Sequence, residues 1–242
     1  MPLPYPLSTC RTPAVVPVLY PCRVIGRLVS RCPVTLLCPC RTPSVPLPYP
    51  YRCVSGDRGG NAIAFDLTTA QPIGSLKGHK GHITAVEWLC HDDEALFLTG
   101  AQDGHVRVWD LRVRQEVANV AAHTGEKGSG AVGALKSAAG PAGSCAILSS
   151  GADCKVCVLD PKMGFNVRTR FAEHKDFPYS LHVAGNMAFS GAGDGMLLAY
   201  DLATDSLCWG LGANRAAVRG IGATASKLVA SGDDGRAIVY DF

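Results

Sequence analysis

Residues 99–111 read TGAQDGHVRVWDL, and the same shape returns four more times: SGDRGGNAIAFDL at 55–67, SSGADCKVCVLDP at 149–161, SGAGDGMLLAYDL at 190–202 and ASGDDGRAIVYDF at 230–242. Each stretch is the end of one strand, a tight turn, and the next strand. Asp103-Gly104 is the turn signal, because Gly accepts positive φ and Asp can bond its own backbone; the pair predicts a primed hairpin turn. After it Val106 and Val108 alternate with Arg107 and Trp109, as in a half-buried strand. The closing carboxylates Asp66, Asp110, Asp160, Asp201 and Asp241 are 44, 50, 41 and 40 residues apart. A single short sheet cannot bury its own faces. Self-similarity at this period therefore demands a stack of like sheets, each one repeat long.

The period and the Trp109-Asp110 ending resemble the WD40 repeat family over residues 54–242. The resemblance implies an all-β propeller of about five blades, the first and last incomplete. An open arc, or a fragment of a seven-bladed ring, is expected. Strands are expected in the second unit near 83–89, 95–99, 105–111 and 116–120; in the third near 131–137, 144–149, 155–160 and 165–171; and in the fourth near 179–183, 187–191, 196–201 and 206–211. The first unit offers 52–55, 61–67 and 71–76.

In the WD40 family a His, a Ser or Thr, an Asp and a Trp form one hydrogen-bonded set inside each blade. The residues that match are His79, Thr99, Asp103 and Trp109 in the second unit. His123, Ser149 and Asp153 match in the third, where Leu159 replaces the Trp. The fourth has His174, Ser190, Asp194 and Tyr200. The fifth has Asn214 for the His, then Ser231, Asp234 and Tyr240. Gly59 stands where the Asp of the first unit would be. A buried carboxylate needs polar partners, so recurrence once per unit is the mark of a structural set rather than a catalytic or metal site.

The resemblance also implies a docking rim at the residue before each turn Asp: Gln102, Ala152, Gly193, Asp233 and Arg58. Trp109-Asp110-Leu111-Arg112 is similar to the WD-x-R signature of substrate receptors for cullin-4 ubiquitin ligases, in which the Arg engages the adaptor. Arg112 and an adaptor partner are therefore an expectation of that likeness.

Charge separates two regions. Residues 1–56 hold six Arg and no Lys, Asp or Glu, whereas 57–242 hold 17 basic against 20 acidic side chains. The acidic balance of the repeats is not that of a nucleic-acid binder. Twelve of the sixteen prolines lie in the first 50 residues. Proline this dense removes ladder donors and blocks helix, so 1–53 is expected to be a low-complexity leader without order, and 54–242 the propeller domain. Six of eleven cysteines fall in that leader. Cys154 and Cys157 form a C-x-x-C, but residues i and i+3 on a strand face opposite ways, which disfavours a redox pair or half a zinc site. No catalytic motif, cofactor loop or metal cluster is read, and no apolar run approaches the ~20 residues of a membrane helix. The expected work is that of a non-catalytic scaffold binding other proteins within a complex, in the cytoplasm or nucleus. A cullin-4-type receptor and an RNA-associated scaffold are the alternatives.

Overall fold

A computed structural model describes residues 52–67, 69–89, 95–124, 130–139, 145–224 and 226–241. The chain divides into two units, residues 1–31 and 32–242, and every described residue belongs to the second. The Pro-rich leader lies outside the described residues except for Arg52 and Cys53, which open the first strand.

Five antiparallel sheets follow one another along the chain. The first contains β1 (Arg52–Gly56), β2 (Asn61–Asp66) and β3 (Gln71–Lys77). The second contains β4 (Ile83–Trp88), β5 (Leu96–Ala101), β6 (His105–Asp110) and β7 (Gln115–Ala121). The third is β8 (Val132–Ala139), β9 (Cys145–Gly151), β10 (Val156–Asp160) and β11 (Asn166–Phe171). The fourth is β12 (Pro178–Ala184), β13 (Met187–Ala192), β14 (Met196–Asp201) and β15 (Ser206–Gly212). The fifth is β16 (Val218–Ala223), β17 (Lys227–Gly232) and β18 (Ala237–Asp241). Each sheet is a meander, every strand pairing with the next. The first strands of successive sheets, β4, β8, β12 and β16, pack in series, and β1 leans on β4. No comparable packing joins the fifth sheet to the first among the described residues, so the row is open. This is the propeller architecture, with its end sheets one strand short.

Apolar side chains at alternate positions bind sheet to sheet. Phe97, Trp109 and Leu111 meet Val54, Ala62 and Leu76 of the first sheet. From the opposite face Leu98, Val106 and Val108 meet Val132, Ile147 and Leu159 of the third. Val156, Val158 and Phe171 continue against Leu181 and Tyr200. Phe189, Leu197 and Ala199 then close on Val218, Leu228 and Ala230. Each fully buried Val, Leu or Phe contributes about 1.5–3 kcal/mol.

The Asp-Gly turns differ from the primed form expected. β5 ends at Ala101 and β6 begins at His105, which leaves Gln102, Asp103 and Gly104 as a three-residue loop. Only Gly104 has positive φ, 78°, and its N–H donates to Ala101 O at 3.1 Å. The left-handed residue is thus the last of three, the bulged hairpin loop that follows the two-residue turns in frequency. The same position holds Gly60, Gly195 and Gly235, and in the third sheet Cys154 at φ 61°.

Candidate functional site

The hairpin loops and the chain segments that carry the His residues lie at one end of the sheets, and the Asp that closes each repeat lies at the other. The two rims have different chemistry.

In the second sheet Trp109 Nε1–H donates to Thr99 Oγ1 at 2.8 Å, and His79 Nε2 lies 2.8 Å from the same oxygen. His79 Nδ1 is 3.1 Å from both oxygens of Asp103. Trp109 donates only and the Asp103 carboxylate accepts only, so the neutral His79 ring carries its proton on Nδ1 and the order of donation is Trp109, Thr99, His79, Asp103. Burial pulls His79 below the usual histidine range although Asp103 opposes it, so the ring is neutral near pH 7. Burial pushes Asp103 upward, but the N–H groups of Lys80 and His105 and the His79 ring outweigh it and hold the carboxyl low.

The third sheet keeps three members: His123 Nδ1 to Asp153 at 2.8 Å and Nε2 to Ser149 at 2.9 Å, with buried Leu159 at the Trp position. Burial again raises Asp153, and its bonds to His123 and Lys155 outweigh it. In the fourth sheet the set is divided. His174 Nε2 reaches Ser190 Oγ at 2.6 Å, and that hydroxyl donates to Tyr200 at 3.3 Å. Asp194 instead accepts from the backbone N–H groups of Lys175 and Met196, at 3.4 and 3.0 Å, and His174 Nδ1 is buried with no partner. Asp194 thus stands apart from its expected histidine, although Asp103 accepts from the equivalent N–H groups of Lys80 and His105 and still bonds His79. Since Ser190 donates to Tyr200, His174 must donate from Nε2, the reverse of His79.

The fifth sheet corrects the placing of Ser231. Ala230 pairs with Ile238 as Thr99 pairs with Arg107, so Ala230 holds the Ser/Thr position. Ser231 falls one residue later, and a one-residue slip puts a side chain on the other face. It stands where Gly100 and Gly191 stand, positions whose Cβ would lie 2.5 Å from Val132 and Val218 of the next sheet. No described sheet follows the fifth, so Ser231 has room. Asn214 Nδ2 donates to Asp234 at 2.8 Å, while Asn214 Oδ1 is buried without a partner. Tyr240 packs half-buried on the core between the fourth and fifth sheets. In the first sheet Asp57 bonds the backbone and side-chain amides of Asn61, at 2.8 Å each, two residues before Gly59.

Of the expected docking residues, Gln102 is exposed at the turn, and its N–H donates to His82 O at 2.8 Å. Asp233 is paired with Arg219 Nη2 at 2.8 Å, and the Arg219 guanidinium lies 3.8 Å over the Tyr179 ring, which meets Phe177 edge to face. Sequence reasoning missed Phe177, Tyr179 and Arg219. Tyr179 and Arg219 are the extra residues of bulges in β12 and β16, which break the alternation that pattern reading depends on.

At the opposite rim Arg112 Nη2 and Nε bond Asp110 at 2.6 and 3.1 Å, and the Arg112 side chain remains 59% exposed. The closing Asp residues serve as caps: Asp66, Asp110, Asp160 and Asp201 accept from the N–H groups of Thr69, Arg112, Lys162 and Ala203. Cys154 belongs to a turn rather than a strand. Cys157 donates to Ala122 O at 3.4 Å, and burial pushes its thiol up to about 12.

These sheets are blades of the β-propeller class. Residues 70–110, from β3 of the first sheet through β6 of the second, match the family described as WD domain, G-beta repeat, so the resemblance to the WD40 family holds. The human dynein axonemal assembly factor 10 is 36% identical over 78 residues, 30% of this chain and 22% of that protein. The target of rapamycin complex subunit LST8 of Saccharomyces cerevisiae is 33% identical over 54 residues, 22% of this chain and 17% of that protein. The chain thus matches about a fifth of the length of these relatives. Among solved structures, the computationally designed protein Ika8 superposes with a TM-score of 0.67 at 24% identity, covering 79% of this chain and 55% of that one. The designed protein Ika4 gives 0.59 at 24%, over 71% and 98%. Both show the likeness of fold. No described helix is long and apolar enough to cross a membrane.

Proposed function

We propose that this chain is a non-catalytic scaffold that docks other proteins on its turn rim within a multiprotein complex. The observation that carries the reading is a division of labour among its polar groups. His79 and His123 have both ring nitrogens committed to bonds inside their blades. Tyr179, Arg219 and Asp233 form a joined, exposed patch on the rim with Phe177 at its side. Aromatic and Arg side chains dominate the centres of protein interfaces. The relatives' names point the same way, one being an assembly factor and the other a complex subunit. The test is comparative capture with the tagged full chain and its Tyr179→Ala/Arg219→Ala variant. A set of partners is expected to be lost in the variant while its melting temperature is kept. Partners retained in full by the variant contradict it, as does a turnover that survives purification and vanishes in a point mutant.

A second reading, the cullin-4-type receptor, draws on Arg112, whose side chain is largely exposed and oriented by Asp110 on the opposite rim. Arg112→Ala removes adaptor binding on this reading; an unaffected adaptor complex dismisses it.

A further inference from the structure

The first strands of the fourth and fifth sheets, β12 and β16, meet along one seam that three side-chain contacts tie. At the turn rim the Arg219 guanidinium lies 3.8 Å over the Tyr179 ring. One residue further along β12, Ser180 Oγ donates to Val218 O at 3.0 Å. At the opposite end the N–H of Ala223 donates to His182 Nε2 at 3.2 Å. A backbone amide can only donate, so Nε2 holds a lone pair and the ring hydrogen is on Nδ1. The bond therefore exists only while His182 is neutral. His182 is the fifth residue of its strand, as Glu87 is of β4 and Lys136 of β8. Those two meet as an ion pair, Lys136 Nζ to Glu87 Oε2 at 3.2 Å. Of these ties between first strands, the His182 bond is the one that turns on a side chain whose ordinary titration lies near neutral pH.

We infer that the seam between the fourth and fifth sheets is an acid-sensitive latch, closed by neutral His182 and opened when its Nε2 takes a proton. The protonated nitrogen faces the Ala223 N–H, donor against donor, and the bond is lost. The surrounding charges act in the same direction. Lys136 of β8 faces the ring, and Glu87 of β4 is bound to Lys136. β13 brings no titratable side chain, β9 brings Cys145, and β16 brings Arg219 at its far end. Burial lowers His182 below the usual histidine range and Lys136 lowers it further, with no described carboxylate opposing them as Asp103 does at His79. Burial raises Glu87, so acid also discharges the partner of Lys136 and sets that cation more strongly against the ring. A cavity of about 600 Å³ lined by His182, Val183, Met187, Phe189, Ala223 and Thr224 opens at this end, so water reaches the ring and little packing replaces the lost bond. The fifth sheet packs on the fourth alone among the described residues, so no second neighbour holds it. The open seam takes up the proton first, so closure is complete above about pH 6.5 and weakens as pH falls below it. Tyr179 belongs to the fourth sheet, whereas Arg219 and Asp233 belong to the fifth sheet and its turn, so opening also parts the rim patch. Acid then releases partners docked there, a consequence that rests on the proposed docking function.

The test is hydrogen exchange of the full chain without partners at pH about 7.5 and about 5.5, each corrected for the intrinsic exchange rate. Protection of β16 is expected to fall about tenfold at the lower pH, about one unit below the ordinary histidine value, and that of β5 and β6 to fall less. His182→Gln, whose side-chain carbonyl accepts the Ala223 N–H without titrating, is expected to keep β16 protected at both values. Equal protection of β16 at both values overturns the inference. So does a drop in β16 no larger than in β5 and β6, or an equal drop in a folded His182→Gln chain. If that variant fails to fold, NMR of the unaltered chain decides. The Ala223 amide shift is expected to follow the His182 ring titration, and an amide that moves without that midpoint overturns the inference. Exchange does not depend on docking, so a seam that opens with acid while no rim partner is captured contradicts the docking function alone.

Discussion

Cys154 occupies the turn position that Gly104 holds one blade earlier, and both backbones are left-handed, at φ 61° and 78°. The N–H of each closes the same turn, Cys154 to Gly151 O and Gly104 to Ala101 O, both at 3.1 Å. A side chain in that region costs about 1–2 kcal/mol, which glycine avoids while losing some chain entropy. Cys154→Gly is therefore expected to stabilise the protein by about 1 kcal/mol, raising the melting temperature by about 2–4 °C. Gly104→Ala does the reverse, by about 2 kcal/mol or more, because its Cβ would also lie 2.2 Å from His123 O. Thermal melts of both variants check the pair.

Thr99 serves two partners with one hydroxyl. Thr99→Val keeps the volume and strands both the Trp109 N–H and His79 Nε2 in a buried site. The expected loss is about 2–3 kcal/mol, seen as a lower urea midpoint with an unchanged slope.

The opposite donation in the second and fourth blades is visible by nitrogen NMR. His79 is expected as the neutral tautomer protonated at Nδ1, and His174 as the one protonated at Nε2. Identical tautomers at the two sites contradict the assigned hydrogen bonding.

Burial lowers both His79 and His174, with Asp103 and Asp194 pulling the other way. The unfolded chain then takes up these protons first, so stability present above about pH 6.5 falls as pH drops below it. The carboxyls of Asp103 and Asp153, held low in the fold, add a second loss once the unfolded carboxyls protonate below about pH 4. Urea midpoints that fall steadily from neutral to acid fit this sign, and midpoints that rise between pH about 7 and 5 contradict it.

Most of the strand order was legible because period-two alternation and Asp-Gly punctuation repeat in register from β1 to β18. What escaped was whatever a single residue shifts. Ser231 and Ala230 are adjacent, yet only strand pairing shows which faces the set. Tyr179 and Arg219 are bulged out of the alternation. Asp194 has the right position and the wrong partner, since spacing along the chain does not fix where a carboxylate turns. The turn type escaped for the same reason: one loop residue more moves the left-handed position from the centre to the end.

Partners are expected to dock on the rim of hairpin turns. Lys80, Lys155 and Lys175 adjoin that rim, while Lys162 and Lys227 lie at the opposite end of the sheets. The decisive measurement is amine crosslinking with mass spectrometry on the full chain captured in its native complexes. Crosslinks to partners are expected to concentrate on Lys80, Lys155 and Lys175. Crosslinks concentrated on Lys162 and Lys227 would contradict it and move the docking surface to the side of Arg112.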